Sequence, residues 1–362
     1  MDGIIFWTGC INLHTFQVFE QLGVAENVIV AYCVESFRGF SEYKIKNVQS
    51  ICVHNKEEAI DLINDKRNWL HINNAFKVEE EYEVLNHALK YIFKNNIKVM
   101  SLFQEQYPYW GIKGYLRRIK WGYTYNWGLG RKHIAIGCCG NPGITSLKKA
   151  FVSNKKLFEF IYTPFHEFME CKSVHNKSHF VVIGQLVPRK AIMELIDVFQ
   201  SIEQEYRLVI IGGGELEEKI KETINNTSRI LYKGKMSPEE IQEELSNSDV
   251  LLLPSIFDGW GCTTNEAIVQ GCRVIVSDSS GSHSIIKKNR FLGQVFKNKD
   301  WAGLRECIMR EINKGPLSLD EKSEIRTWAN KISPEAECAY LKGLLNFYIN
   351  NNGTKPTAPW NM

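Results

Sequence analysis

Short apolar runs alternate with amphipathic stretches along most of the chain. Gly3–Thr8 and Val28–Val34 are apolar throughout and too short for helices, so each reads as a strand buried on both faces. The first is followed by Gly9-Cys10, then by a helix from about residue 13 to Leu22, with Gly23 closing it. Segments 50–54 and 69–72 predict two further strands around a helix at 57–64. Segment 79–95 places Tyr82, Leu85, Ala88, Leu89 and Ile92 on one helical face, and 98–103 predicts another strand. Residues 134–137, 147–150 and 159–162 read as strand, helix and strand.

The pattern lapses into polar residues over 163–178, where a linker is expected, and restarts at Phe180–Ile183. Helices at 191–202 and 216–224 alternate with strands at 208–211 and 230–232. Ser237-Pro-Glu-Glu240 predicts a capping box with proline at the first helical position. Asp249–Gly271 then reads as strand, glycine loop and helix, with Thr263 or Thr264 as the cap and Gly271 as the stop. A strand at 273–277 and helices at 301–313 and 336–350 follow, and the polar last ten residues predict a loose tail. Strands alternating with helices on both sides of a linker imply an α/β protein of two doubly wound, Rossmann-like domains. The expected boundaries are 1–165 and 179–335, with a helix at 336–352 that could return to the first domain. In such folds ligands sit at the carboxyl ends of the strands, here in a cleft faced by both domains.

Composition changes this picture little. With 362 residues, 44% hydrophobic and 23% charged, the chain reads as a soluble globular protein. A net charge of +3 gives no bulk field for nucleic acid. The cysteines form no C-x-x-C pair and sit largely in apolar runs, which suits a reducing compartment, and a cytoplasmic location is expected. Segment 107–132 interleaves Lys113, Arg117, Arg118, Lys120, Arg131 and Lys132 with Trp110, Tyr115, Trp121, Tyr123, Tyr125 and Trp127. Two readings stand. It touches the inner membrane surface or a lipid headgroup, or it supplies core aromatics with solvated charges on the other face.

Candidate chemistry gathers at strand ends of the second half. Gly184 ends a strand, and Arg189 and Lys190 stand before the next helix, where two cations suit a diphosphate. Gly212–Gly214 lacks the third glycine of a dinucleotide fingerprint, because position 217 is Glu217, and reads as a tight turn. Gly234 follows the third strand, with Lys235 and Met236 beyond it. In Asp249–Gly271, Asp258 and Glu266 flank a loop of amides beside a helix N-terminus, which suggests a ligand with phosphates and several hydroxyls.

Taken together, G-x-L-x-x-x-K at Gly184–Lys190, the glycine turn, the lone Gly234, then P-S-x-x-D-G-W-G from Pro254, E-A at Glu266 and the closing Gly271 resemble the nucleotide-sugar domain of GT-B glycosyltransferases, family 4. The resemblance spans about residues 180–290. It implies a GT-B fold and a metal-independent, cofactor-free enzyme. Such an enzyme would transfer a sugar, with retention, from a UDP-sugar or another nucleotide-sugar to a glycan or lipid-linked acceptor in polysaccharide or lipopolysaccharide assembly. It implies that Arg189 and Lys190 hold the donor diphosphate. Glu266 would bind the ribose hydroxyls and Asp258 the transferred sugar. The amides of Gly261, Cys262 and Thr263, beside Gly184 and Gly259, would lie near the phosphates, with Lys235 and Met236 at the base.

The chain departs from the family's pattern at several points. Asp258 stands for the commoner Glu, and Ala191 for Gly. Gly9-Cys10 replaces a Gly-Gly turn, and the strand at 98–103 runs on without a histidine, leaving Gly9, Gln104 and Glu105 as acceptor-side candidates, with His14 and His71 as others. The competing functions are a GT-B nucleotide-sugar epimerase and a catalytically silent nucleotide-sugar binding protein. The missing fingerprint disfavours a dehydrogenase.

Overall fold

The computed structural model describes residues 2–11, 14–34, 45–74, 83–164, 168–170 and 176–362. The expected elements at 13, 79–82 and in most of the linker fall partly outside these residues. The chain divides into two compact units, residues 1–163 with 332–362, and residues 164–331.

The first unit runs β1 (Ile4–Cys10), α1 (Gln17–Gly23), β2 (Val28–Val34), β3 (Gln49–Cys52), α2 (Lys56–Asp65), β4 (Leu70–Asn73), α3 (Glu83–Lys94), β5 (Val99–Gln104), α4 (Gly111–Asn126), β6 (Ile136–Cys139), α5 (Gly140–Lys149) and β7 (Leu157–Phe160). Its seven-stranded sheet has the order β3-β2-β1-β4-β5-β6-β7, with every described pairing parallel. Ile5, Trp7, Ile29, Ala31 and Val99 on one face pack against Ala59 and Ile63 of α2 and Leu85, Leu89 and Ile92 of α3. Burying side chains on both faces of β1 is what its unbroken apolar run specified.

The second unit runs β8 (His179–Ile183), α6 (Ile192–Gln200), β9 (Arg207–Ile211), α7 (Glu217–Ile224), β10 (Ile230–Gly234), α8 (Pro238–Ser246), β11 (Val250–Leu253), α9 (Thr263–Val269), β12 (Arg273–Ser277), α10 (His283–Lys288), β13 (Gly293–Phe296), α11 (Trp301–Lys314) and α12 (Leu319–Ala329). The parallel sheet has the order β10-β9-β8-β11-β12-β13. Phe180, Val182, Leu208, Ile210 and Leu252 form its core with Leu195 and Phe199 of α6 and Leu304 and Ile308 of α11. Ser237 and Glu240 make the reciprocal capping box that the sequence predicts. A second box, Ser318 with Glu321, starts α12, a helix that the apolar pattern does not predict. Its Lys322 is buried and donates to the carbonyls of Ser246 and Ser248, closing the end of α8.

The last helix, α13 (Pro334–Ile349), belongs to the first unit and lies against α1. Its first turn holds Glu337, fully buried, which accepts from the Thr163 hydroxyl at 2.6 Å. The other carboxyl oxygen has no partner among the described residues, and burial pushes this acid well above the usual carboxylate range. A carboxyl whose folded pKa lies above its unfolded value favours the fold below the unfolded value, and that advantage is lost as pH rises through the folded one. Glu337→Gln keeps the neutral shape. It is therefore expected to match wild type near pH 4 and to be more stable near pH 8, read as the urea midpoint across pH.

Two expectations do not hold, and one of two open readings is narrowed. Gly9 and Cys10 lie inside β1, not in a loop after it. The closing residues are not loose: Trp360 is buried against Tyr340, and its indole N–H and the Asn361 amide both donate to Glu159. The aromatic residues of 107–132 are not all core. Most of the segment is α4, with Tyr125 buried and Trp121 half-buried, but Trp110, Tyr115, Tyr123 and Trp127 are exposed.

Candidate functional site

In the second unit the strand order reverses between β8 and β11, and the loops that follow these two strands meet there. Such a reversal leaves a crevice at the strands' carboxyl ends. Gly184 follows β8, and residues 188–190 make one tight turn before α6. This turn is tied to the loop after β11 by backbone and side chain. The Ile256 amide donates to the Arg189 carbonyl at 2.8 Å, and the Arg189 guanidinium reaches the Phe257 carbonyl at 3.4 Å and Gln185 Oε1 at 3.5 Å. The Lys190 ammonium donates to the Asp258 carboxylate, and both side chains are largely buried. Thus a cation and an acid 68 residues apart in sequence share one place at the switch point.

Two glycines make the close approach possible. Gly212 donates to the Gly234 carbonyl and lies directly on Gly184. A Cβ there would overlap the Gly184 carbonyl oxygen, and φ is +139°. The reading of Gly212–Gly214 as a tight turn therefore holds. The turn also carries the aliphatic part of Lys235, which lies over Gly213. Lys235 is exposed and Met236 half-buried beyond β10.

Gly261, with φ of +91°, leaves no room for a Cβ against Leu253, and Trp260 beside it is fully buried as the anchor of the loop. Asp258 and Gly259 are held from the other side by the loop after β12. The Asp258 amide donates to Ser279, the Gly281 amide donates back to Asp258, and Gly281 lies on the Gly259 carbonyl. This Asp-Ser-Ser-Gly-Ser run at 278–282 is a structural partner that sequence reasoning missed. Its small residues directly after a strand were the available signal. His283 follows, with Nδ1 at 2.7 Å from the Ser280 carbonyl, and burial holds this imidazole below its ordinary pKa.

The start of α9 differs from expectation. Neither Thr263 nor Thr264 caps it. Cys262 takes the cap position without a side-chain capping bond, Thr263 is the first helical residue, and the Thr264 hydroxyl is engaged by the Ser282 hydroxyl at 2.8 Å. The helix begins one residue earlier than the sequence suggests, so both threonines fall inside its first turn, past the cap position. The helix ends as read. Gly271 has φ of +82° and donates to Ile268, while Cys272 donates to Ala267, the two bonds of a Schellman stop. Glu266 stands in the first turn of α9.

In the first unit the other candidates are more committed to structure. Gln104, at the end of β5, is buried. Its carbonyl accepts from Tyr125 at 3.1 Å and its amide donates to the Glu105 carbonyl. Glu105 accepts from Tyr162 at 3.2 Å. His71 is buried, its Nδ1 accepts from the Trp7 indole at 3.0 Å, and burial lowers its pKa to about 4, so it acts as a neutral strut. His14 is half-buried, and its backbone carbonyl accepts from Thr163. Gly9 lies near the end of β1, beside the strand-order reversal of this sheet. Among the described residues no cluster of three or more His, Cys, Asp and Glu side chains could hold a metal ion. Also among them, no helix is long and apolar enough to cross a membrane.

Two parallel, doubly wound units of this kind define the GT-B fold. HepE from Anabaena, solved in complex with UDP, superposes with a TM-score of 0.70 over 95% of this chain and 99% of that one, at 11% identity, a likeness of fold alone. Residues 167–327, a little under half of the chain, match the family model of glycosyl transferases group 1. The chain is 29% identical over 158 residues to the lipopolysaccharide 1,6-galactosyltransferase of Escherichia coli K12, covering 39% of this chain and 44% of the relative. It is 27% identical over 157 residues to an Escherichia coli UDP-Gal:alpha-D-GlcNAc-diphosphoundecaprenol alpha-1,3-galactosyltransferase, covering 41% and 40%. The chain spans less than half the length of the curated relatives it matches.

Proposed function

We propose that this chain is a glycosyltransferase that moves a sugar from a nucleotide-sugar, a UDP-sugar, to a glycan or lipid-linked acceptor with retention of configuration. Its setting is polysaccharide or lipopolysaccharide assembly, in the cytoplasm and peripheral to the inner membrane. The observation that carries the reading is the Lys190–Asp258 pair at the reversal between β8 and β11, bordered by backbone that only glycine permits. In this reading Arg189 and Lys190 meet the donor diphosphate, with the amides of Gly261, Cys262 and Thr263. Asp258 faces the transferred sugar, Glu266 the ribose, and Lys235 and Met236 the base. Gly9 and Glu105 stand on the acceptor side. Gln104 joins them only if it gives up Tyr125.

The chemistry follows from charge. As the bond from the anomeric carbon to the diphosphate breaks, negative charge grows on the leaving oxygen. Fixed cations and amides stabilise that charge more in the transition state than before it. The acceptor oxygen forms the new bond on the same face, and its proton passes to the leaving phosphate. No metal or added cofactor enters the proposal.

The test is a thermal-shift screen against UDP-, GDP-, ADP- and dTDP-sugars. A ligand at 100 times its dissociation constant adds about 2.7 kcal/mol of apparent stability. A UDP-sugar is expected to give the largest shift, and Glu266→Ala is expected to remove most of it without lowering the unliganded melting temperature by more than a few degrees. No shift with any of the four would overturn the reading. Donor hydrolysis without transfer to any acceptor extract would turn it toward an epimerase.

A further inference from the structure

The outward face of α4 is apolar. Ile112, Tyr115, Leu116, Ile119 and Tyr123 are all exposed, and their spacing puts them within about a third of the helix circumference. Trp127, just past the helix, continues the stripe and is 71% exposed, and Ile112 at the other end is 84% exposed. Gly114 and Tyr125 lie opposite this stripe and Gly122 lies at its edge, all three buried against the unit. An ordinary surface helix turns its apolar side inward and its polar side to water. Here the exposed face carries the long apolar stripe, and the inward face is kept slim by two glycines.

A second exposed aromatic lies next to it. Gly122 packs on the Ala150 carbonyl, and Arg118 donates to the Lys149 carbonyl at 3.0 Å, so the end of α5 is fixed beside α4. The next residue, Phe151, is 78% exposed and sits in the left-handed region at φ +61°. A bulky side chain rarely adopts that conformation.

The charge around this surface has one sign. From Gln106 to Phe158 the sequence holds ten Lys and Arg and no Asp or Glu, while the whole chain is only +3, so the remainder is net negative. Lys113, Arg117 and Lys120 flank the stripe on α4, and Lys148 and Lys149 precede Phe151, all of them exposed.

We propose that α4 and Phe151 form a docking surface for an anionic phospholipid bilayer, with α4 lying in the plane of the interface. The apolar stripe enters the boundary between headgroups and acyl chains. Tyr115, Tyr123 and Trp127 sit at headgroup level, and the flanking cations meet lipid phosphates. Charge complementarity selects this occupant over a neutral apolar partner. The proposal names the surface behind the peripheral location proposed above, and it needs nothing from the donor site.

Flotation of the full chain with vesicles tests it. The protein is expected to bind vesicles of phosphatidylglycerol with phosphatidylcholine, to bind pure phosphatidylcholine far more weakly, and to be partly released by high salt. Lys113→Gln/Arg117→Gln/Lys120→Gln is expected to weaken binding roughly a hundredfold, since each cation near an anionic surface counts for about a factor of five. Ile112→Asp/Ile119→Asp is expected to abolish binding at any salt. Both variants alter exposed side chains and should keep the wild-type melting temperature and donor-induced shift, which separates failure here from failure of the transferase reading. Wild-type protein that floats with neither vesicle, or variants that float like wild type, would overturn the proposal. So would a dimer in solution that either variant dissolves, because the face would then be an interface between copies.

Discussion

Lys190→Ala is expected to lower kcat/KM for sugar transfer by roughly ten- to a hundredfold, the loss of one charge-assisted contact of about 1.5–3 kcal/mol made to developing charge. The substitution has a second effect that must be kept apart from the first. Lys190 is bonded to Asp258, and both side chains are largely buried. Removing the ammonium leaves a carboxylate in a confined place without its cation, which lowers the stability of the second unit. Lys190→Ala/Asp258→Asn separates the two. The double variant replaces the stranded charge by a neutral amide and should recover much of the lost urea midpoint. Transfer should stay as low as in the single variant, or fall further. Recovery of transfer along with stability would mean that Lys190 acts only as a tether for Asp258.

Gly212→Ala, the addition of a single methyl group, is expected to remove about 4 kcal/mol or more of stability from the second unit. The new carbon would overlap the Gly184 carbonyl oxygen, a backbone atom that cannot rotate away, and the backbone angle itself disfavours any side chain. β8 and β9 would have to separate where Gly184 donates to Ile211. Gly315→Ala, in the same unit, is the control. Gly315 also has positive φ, at +83°, but a Cβ there meets nothing. It should cost only about 1–2 kcal/mol, the penalty of the left-handed conformation alone. The difference between the two urea midpoints measures steric exclusion at the strand ends, and equal losses would discard the close-approach argument.

The second sheet was legible because its strands are short apolar runs separated by helices with strong start and stop residues. Val250–Leu253 is buried on both faces, the box at Ser237 forms, and Gly271 stops its helix. What failed was local inference where a distant partner decides. Thr264 has the chemistry of a cap, but the helix starts at Thr263 with Cys262 at the cap, and the Thr264 hydroxyl meets Ser282, 18 residues away. The polar closing segment reads as loose until Trp360 finds Tyr340 and Glu159 finds two donors. The pairing of Lys190 with Asp258 requires both loops to be in place, and either loop alone shows only what it would offer a ligand. α4 resisted for the opposite reason. Apolar periodicity there is strong, but the rule that converts it into a buried face runs backwards on this helix.

The division of the first unit between residues 1–163 and 332–362 has a consequence for synthesis. A nascent chain emerges in order, so the first sheet is complete long before α13, which covers α1, has been translated. At about 5–20 residues per second the intervening stretch takes on the order of ten to thirty seconds. During that interval α1, with its buried Phe19 and Leu22, lacks the helix that later lies against it. The second unit, contiguous in sequence, can fold within that wait. The half of the chain that is translated first is thus the half that finishes last, and holdase chaperones on the ribosome would meet it with its last helix still missing.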